Sequence, residues 1–230
     1  NPAFPEAYRA ARLAQLGCHR VIVGENQEHL TDSTWLSVTD FAKSSCAAAR
    51  NTDVSTAWQP DAPATIIFTS GSTGEPKAAV LSLGNHVANA KHANANLSLE
   101  PGDVWLLSLP LYHVAGLGIL FRCLEAGATI GIPDGNDSLE RAARHLGATH
   151  FSLVARQLAR LLDSTTGMEI LAGAKAILLG GSAIPTALLA TAHERDLPIF
   201  TSYGMTEMAT QVTTTPPGAD LETVRASGKP

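Results

Sequence analysis

Thr69-Ser-Gly-Ser-Thr-Gly-Glu-Pro-Lys77 directly follows Thr65-Ile-Ile-Phe-Thr69, a continuous β-branched and aromatic run that is typical of a strand buried on both faces. The two glycines of the loop allow backbone N–H groups to turn toward an anion, and its hydroxyls add further donors. Lys77 brings a mobile positive charge to the end of the loop. We therefore predict that this loop binds the phosphates of a nucleotide.

A Walker A loop is the first alternative for this segment, and it requires Gly-Lys followed by Ser or Thr. Here Pro76 precedes Lys77 and Ala78 follows it, so the Walker pattern fails at two positions. A flexible Ser/Gly turn with a solvated lysine is the plain structural alternative. So many phosphate-binding residue types in one short window favour a phosphate loop of another kind.

Strand and helix patterns alternate along the chain on both sides of this loop. The stretch 8–16 predicts a helix, 20–23 a strand, and 26–58 a loop-rich region with an edge strand. Further strands are predicted at 104–109, 128–132, 150–154, 176–179 and 199–201, and helices at 139–146, 156–162 and 185–195. This alternation predicts an α/β fold of parallel, helix-covered sheets. We expect a first αβ subdomain at 1–103 and a second at 104–230.

The composition excludes several classes of protein. The 230 residues are 45% apolar and 16% charged with a net charge of -5, which indicates a folded, core-rich chain. No run of Lys and Arg supplies a surface for nucleic acid or anionic membrane. The most apolar stretch, Val114–Pro133, is interrupted by Arg122 and Glu125, so we interpret it as core and expect no membrane insertion.

The cysteines and the start of the chain bear on its compartment. Cys18, Cys46 and Cys123 show neither a CxxC pair nor an even-numbered framework, so we expect buried, reduced thiols. The sequence shows no initiator Met and no secretory leader pattern, so we expect it to begin within a protein or after a further segment. We expect a cytoplasmic location. A homo-oligomer is left open.

The 69–77 loop resembles the phosphate loop of the adenylate-forming enzymes, namely acyl-CoA synthetases, luciferases and peptide-synthetase adenylation domains. These enzymes activate a carboxylate with ATP to an acyl-adenylate. Family members commonly carry Gly after the loop lysine, where this chain has Ala78-Ala79. The resemblance implies part of the large N-terminal domain of such an enzyme, with ATP, Mg²⁺ and CoA as cofactors and a small-molecule carboxylic acid as partner.

Two further segments resemble parts of the same family. Leu109-Pro-Leu-Tyr-His-Val-Ala-Gly-Leu-Gly118 resembles the segment that borders the acid pocket. An isolated histidine in an apolar run is usually a core residue, but the resemblance implies that His113 orients or gates the substrate carboxylate. Gly116 and Gly118 would leave room for the acyl group. Leu179-Gly-Gly-Ser-Ala-Ile-Pro185 resembles the stretch that lines the adenine pocket.

Ser202-Tyr-Gly-Met-Thr-Glu207 is the second strong motif of the family. The match implies that Tyr203 stacks on adenine, that Thr206 contacts the α-phosphate and that Glu207 is a hard oxygen ligand for magnesium. A strand end with an exposed acid is the alternative for any one of these residues, but it is a poor explanation for all of them together.

Agreement outside the motifs narrows the resemblance to the o-succinylbenzoate-CoA ligases of menaquinone biosynthesis. A general fatty or aryl acid-CoA ligase stays open, and so does a nucleotide-binding fragment without turnover of its own. A dicarboxylic acid requires a polar or positive group deep in its pocket. Arg156 is the candidate, with a solvated helix-start arginine as the alternative. The aromatic end of the acid is expected between residues 154–157 and 206–211.

The predicted site residues form four groups. The nucleotide group is Thr69, Ser70, Gly71, Ser72, Thr73, Gly74, Lys77, Gly180, Gly181, Ser182, Tyr203, Gly204, Met205 and Thr206. The acid group is His113, Gly116, Arg156 and Gln211. The catalytic group is Lys77, His113, Thr206 and Glu207, and the metal ligand is Glu207.

The isolated 230-residue chain is predicted to be a weak catalyst, because the family's ribose-binding Asp segment and C-terminal adenylation lysine have no match in it. Each lost donor that acts mainly in the transition state lowers the rate by roughly 10²–10³. Acid-dependent exchange of labelled pyrophosphate into ATP measures this directly. Exchange at the rate of a complete adenylate-forming enzyme would show that the catalytic groups are misplaced.

Overall fold

A computed structural model describes residues 6–16, 20–23, 34–37, 59–69 and 77–228. The chain divides between Trp58 and Gln59 into two units. In the first unit, helix α1 is Glu6–Gln15, and strands β1 (Arg20–Val23) and β2 (Thr34–Ser37) pair in parallel. β2 lies in the stretch where the sequence predicts an edge strand.

The second unit, residues 59–230, contains two sheets and the helices around them. Its strands are β3 (Pro63–Thr69), β4 (Lys77–Ser82), β5 (Val104–Leu106), β6 (Thr129–Gly131), β7 (His150–Leu153), β8 (Ala176–Leu179), β9 (Ile199–Met205) and β10 (Thr210–Thr214). Its helices are α2 (Leu83–Leu97), α3 (Val114–Ala126), α4 (Leu139–Leu146), α5 (Ala155–Leu162), α6 (Thr165–Ala172), α7 (Thr186–Glu194) and α8 (Leu221–Arg225).

Six strands form the main sheet, in the order β10-β9-β8-β7-β5-β6. All neighbours are parallel except β10, which runs antiparallel to β9. The predicted α/β class with a mainly parallel sheet is confirmed. The sheet begins at Val104, while the predicted subdomain boundary between residues 103 and 104 stays a prediction.

The main sheet is buried on both faces. Successive side chains of a strand point to opposite faces, and helices cover each face. Along β8, Ile177 and Leu179 pack in one apolar cluster with residues of α4, α5, α6 and α7. Ala176 and Leu178 point the other way and pack with residues of α2 and α3. The parallel strands therefore lie between two layers of helices, and only their ends are free to build a site.

The second sheet of this unit corrects one expectation. β3 pairs with β4 in an antiparallel ribbon, and the cross-strand pair Ile66 and Val80 is exposed. Thr65–Thr69 is therefore not a strand buried on both faces, as its apolar composition suggests. The composition reports apolar side chains but not which neighbour covers each face, and the partner here is the next strand along the chain.

The sequence reasoning missed helix α2, whose polar composition hides it. The helix carries four asparagines, which have low intrinsic helix propensity. A reciprocal cap begins it: the backbone N–H of Asn85 donates to Ser82 Oγ at 3.1 Å, and the Ser82 N–H donates to Asn85 Oδ1 at 2.9 Å. Helices α3, α6 and α8 and strands β4 and β10 also have no counterpart among the predicted elements.

The apolar stretch and one cysteine behave as expected. Residues 114–133 supply α3 and β6, and across the described ranges no helix is long and apolar enough to cross a membrane. Cys123 is a buried free thiol, and burial raises its pKa to about 11. Cys18 and Cys46 lie outside the described residues.

Candidate functional site

The two ends of the predicted phosphate loop face each other across the β3–β4 ribbon. Thr69 and Lys77 are register partners, and Thr69 Oγ1 donates to the Lys77 carbonyl oxygen at 3.4 Å. Lys77 is exposed and begins β4. The loop between them, Ser70, Gly71, Ser72, Thr73 and Gly74 included, lies outside the described residues. The loop therefore joins two antiparallel strands, unlike a Walker A loop, which leads into a helix.

A cavity of about 470 Å³ opens at the carboxyl ends of the parallel strands. Parallel strands bring these ends to one edge of a sheet, where α/β proteins bind their ligands. The segments that follow β5, β7 and β8 and the outer half of β9 meet there. The lining residues are Leu109, Pro110, His113, Val114, Ala115, Arg122, Ser152, Leu153, Val154, Leu178, Gly180, Gly181, Ser202, Gly204, Met205, Thr206, Thr210 and Gln211.

His113 lines this cavity at the N-terminus of α3. Its backbone N–H donates to the Pro110 carbonyl at 3.1 Å, and its ring lies 4.7 Å from that of Tyr112. The His113 carbonyl accepts from the N–H groups of Gly116 and Leu117 and so begins the helix. The local turn therefore fixes the position of His113 in the cavity wall, and its contact with the acid stays a prediction.

The two glycines of α3 lie where other parts of the protein approach the helix closely. A Cβ on Gly116 would lie 2.2 Å from the Pro110 carbonyl oxygen, and Gly116 does not line the cavity. A Cβ on Gly118 would lie 2.9 Å from the Thr210 methyl and 3.3 Å from a guanidinium nitrogen of Arg122. Backbone and side chains of the protein therefore border the space at both glycines, and a role for them in making room for an acyl group stays a prediction.

Arg122 is the charged side chain deepest in the site, since only 1% of it is exposed. Its Nη2 donates to Gln211 Oε1 at 2.6 Å and to Thr210 Oγ1 at 3.1 Å, and its guanidinium carbon lies 5.2 Å from the centroid of the Trp105 ring. Burial lowers the pKa of Arg122 to about 10, so the group stays protonated at neutral pH. Over the described part of the chain, no carboxylate forms an ion pair with it.

The predicted adenine-side residues divide between the cavity and the surface. Gly180, Gly181, Gly204, Met205 and Thr206 line the cavity. Three other predicted residues are exposed and do not line the cavity, namely Ser182, Tyr203 and Glu207. The Tyr203 side chain is 57% exposed, which leaves its ring available for stacking.

Glu207 alone carries the metal prediction. Among the described residues, no group of three or more His, Cys, Asp or Glu side chains is placed to hold a metal ion. A magnesium ion at Glu207 would take its remaining ligands from water and phosphate oxygens, which is the usual arrangement for Mg²⁺ in nucleotide sites.

Arg156 lies away from the cavity. It is exposed in the first turn of α5 and is not a lining residue, whereas the preceding Val154 is. Gln157 fixes this turn by accepting from the Val154 N–H at 2.9 Å and donating to the Ser108 carbonyl at 3.3 Å. The geometry does not support Arg156 as the group that meets a second carboxylate.

Sequence reasoning missed two residues of the cavity wall, Arg122 and Ser152, and one residue that contacts the neighbouring strand, Asn89. Arg122 was interpreted only as an interruption of an apolar stretch, although a lone arginine in the middle of such a stretch must be buried with partners or a ligand. Ser152 lines the cavity and accepts from Trp105 Nε1 at 3.2 Å. Asn89 on α2 contacts the β10 segment, and nothing in its local sequence pattern indicates that.

The chain is similar in sequence to a known family and to curated proteins. The model of a family described as AMP-binding enzyme matches residues 1–230. A 2-succinylbenzoate--CoA ligase from Escherichia coli (strain K12) is 44% identical over 155 residues, which cover 67% of this chain and 33% of that protein. The chain spans less than half the length of the curated relatives that it matches.

Two solved structures of an o-succinylbenzoate coenzyme A synthetase (MenE) from Bacillus subtilis are similar to this fold. One is in complex with the acyl-adenylate intermediate OSB-AMP; the TM-score is 0.81 at 28% identity, and the match covers 100% of this chain and 60% of that chain. The other is in complex with ATP and magnesium ion; the TM-score is 0.80 at 28% identity, with 99% and 48% covered.

Gly116→Ala is predicted to destabilise the fold by about 1–3 kcal/mol, the usual cost of an added methyl group in a filled space. The methyl would displace the Pro110 carbonyl and with it the turn that carries His113. Urea unfolding of the chain measures the loss. Gly135→Ala is the matched control, because nothing lies within 4 Å of its Cβ position. Equal stability of the two variants would contradict this packing role.

Proposed function

The chain belongs to the AMP-binding enzyme family, and we propose that it forms the nucleotide-binding and acid-binding part of an AMP-forming o-succinylbenzoate-CoA ligase. In the first half-reaction, a carboxylate oxygen of the acid attacks the α-phosphorus of ATP and pyrophosphate leaves. In the second, the thiolate of CoA attacks the acyl carbon, the thioester forms and AMP leaves with the electron pair of the broken C–O bond.

The first half-reaction needs charge neutralisation and positioning more than acid–base chemistry. A carboxylate and a polyphosphate repel each other, so cationic and N–H donors must compensate the charge that concentrates at the α-phosphorus. Lys77 and the loop that precedes it supply the cationic and N–H donors. Thr206 offers a hydroxyl from the cavity wall. No general base is required, because the attacking carboxylate is already ionised at neutral pH.

The nucleotide is assigned to the surface between Gly180 and Thr206. Gly180 and Gly181 bring backbone to the cavity without side chains, and exposed Tyr203 provides a face for adenine. A magnesium ion held through Glu207 would neutralise phosphate charge. Ser182 stays a prediction for the ribose edge.

The burial of Arg122 without a carboxylate partner is the observation that supports the choice of acid. A buried guanidinium without a carboxylate partner carries a desolvation cost of several kcal/mol, which neutral hydrogen bonds offset only in part. A ligand carboxylate in the adjoining cavity would supply the missing counter-charge. o-Succinylbenzoate has two carboxylates: the one that becomes adenylated and a second one on its aromatic ring.

The comparisons support the same acid. The relatives that we report are named for 2-succinylbenzoate or o-succinylbenzoate, and one solved structure holds OSB-AMP. The alternative of a fatty acyl-CoA ligase would require an apolar tunnel, and a buried cation in the cavity wall disfavours that. We propose CoA as the thiol partner and the cytoplasm, where ATP and CoA are abundant, as the location.

Lys77→Ala is predicted to weaken binding of ATP-Mg by about tenfold or more, because a charge-assisted hydrogen bond to phosphate is lost. Calorimetric titration of the chain with ATP-Mg gives the affinity, and pyrophosphate exchange by the protein at its full natural length gives the adenylation rate. Lys91→Ala is the control, since Lys91 is an exposed lysine on α2 that does not line the cavity. Unchanged affinity and exchange in Lys77→Ala would remove this loop from the nucleotide site.

Arg122→Met is predicted to lower kcat/KM for o-succinylbenzoate by about 30-fold or more, because removal of one member of a buried charge pair costs about 2–5 kcal/mol. The same variant should lose less with 4-oxo-4-phenylbutanoate, the same keto acid without the ring carboxylate. A thioester assay of the protein at its full natural length, with benzoate and medium-chain fatty acids in the panel, measures both.

Arg156→Met is the matched variant for this test. It should leave the preference for o-succinylbenzoate unchanged, because Arg156 lies outside the cavity. Loss of the preference in Arg156→Met alone would restore the sequence-based assignment. Efficient turnover of fatty acids by the wild type, without turnover of o-succinylbenzoate, would replace the proposed acid and leave the adenylate-forming chemistry.

A further inference from the structure

Asn89 on α2 is tied to the strand that partners Arg122. Its Nδ2 donates to the carbonyl oxygens of Met208, at 3.1 Å, and Gln211, at 2.9 Å, and its Oδ1 accepts from Thr210 Oγ1. The two carbonyls can only accept, so this orientation of the amide is the one that satisfies all three contacts. Both protons of the amide and its oxygen are therefore used on one short segment, 208–211.

This segment needs an external restraint. Ala209 has a φ of 57° and Thr210 a φ of 148°, and L-residues seldom adopt positive φ values. Such a backbone persists only where the surrounding contacts determine it. Asn89 supplies contacts to the residue before this pair, to Thr210 itself and to the residue after it.

Asn89 also determines which way the Thr210 hydroxyl points. The hydroxyl has one proton, which it donates in the hydrogen bond to Asn89 Oδ1. The lone pairs of Thr210 Oγ1 therefore remain to accept from Arg122 Nη2 at 3.1 Å. Gln211 is directed in a similar way: its Nε2 donates to Thr214 Oγ1, so its Oε1 is left to accept from Arg122 at 2.6 Å. Both acceptors of the guanidinium thus depend on the segment that Asn89 holds.

We propose that Asn89 is a positioning residue for acid recognition, which holds Thr210 and Gln211 so that they fix the guanidinium of Arg122 at the cavity wall. The inference rests on the proposed function, because it takes the acid carboxylate to meet Arg122. Asn89 does not line the cavity and acts only through these residues.

The test compares two asparagines on the same helix. Asn96 is also half-buried and also ties α2 to the segment that ends β10, since its Nδ2 donates to the carbonyl of Thr215 at 2.8 Å. That hydrogen bond involves neither Thr210 nor Gln211, the partners of Arg122. Asn89→Ala and Asn96→Ala each remove one helix tether. Only Asn89→Ala removes the restraint on the segment 208–211.

The measured quantity is the selectivity ratio, kcat/KM for o-succinylbenzoate over kcat/KM for 4-oxo-4-phenylbutanoate, in the protein at its full natural length. Asn89→Ala should lower this ratio by about 3- to 30-fold, the range of coupling that residues outside a ligand contact exert. Asn96→Ala should leave it within about twofold, whatever it does to the melting temperature. A purely structural tether would change the melting temperature and not the ratio.

Thr210→Val and Thr210→Ser provide a second test that does not depend on the folding of Asn89→Ala. The valine keeps the shape but removes the hydroxyl relay, so it should lower the ratio, while the serine keeps the relay and the ratio. An unchanged ratio in Asn89→Ala or in Thr210→Val, or an equal loss in Asn96→Ala, would overturn the inference and leave the proposed function intact. A wild type without preference for o-succinylbenzoate would overturn both.

Discussion

The burial of one guanidinium is the constraint on which the acid side of this site depends. Arg122 lies among the helices and strands of the second unit with 1% of its side chain exposed, and the described chain gives it neutral acceptors and an aromatic face but no carboxylate. A glycine one turn earlier in α3 is required, since a Cβ on Gly118 would lie against both the guanidinium and its partner Thr210. Residues far apart in sequence are thus coupled in space, because each of them contacts or makes room for the same buried charge.

Parallel strands explain how so few residues build a cavity of this size. β5, β7, β8 and β9 end at one edge of the sheet, and each contributes the segment that follows its last buried residue or, in β9, its outer half. The strand interiors are fixed by packing against two helix layers. The free ends are not held by that packing, so under the proposed function we expect ligand specificity to lie in them and in α3, which together with its N-cap contributes His113, Val114, Ala115 and Arg122 to the cavity wall or its edge.

The sequence predicted those parts of the site whose chemistry is local. Gly180 and Gly181 follow a buried strand, and Gly204, Met205 and Thr206 lie at the end of the next one. The structure places all five at the cavity. Arg122 and Asn89 were missed because their importance depends on contacts with β10, about 90 to 120 residues away along the chain. The exposed face of the β3–β4 ribbon was missed for the same reason: apolar composition does not say which element, if any, covers a strand.

The nucleotide side and the acid side of the proposed site differ in how strongly water screens the interactions of their charged groups. Lys77 and Glu207 are exposed, and charges in water attract phosphate and metal only weakly, by about 1 kcal/mol at 4 Å. Arg122 is already desolvated, so its interaction with an acid carboxylate is strong from the start, and its cost is carried by the fold. Under the proposed function, recognition of the acid would therefore be built into the folded domain. Strong electrostatic assistance to phosphoryl chemistry would instead require that the bound nucleotide and whatever covers it exclude water from Lys77 and Glu207.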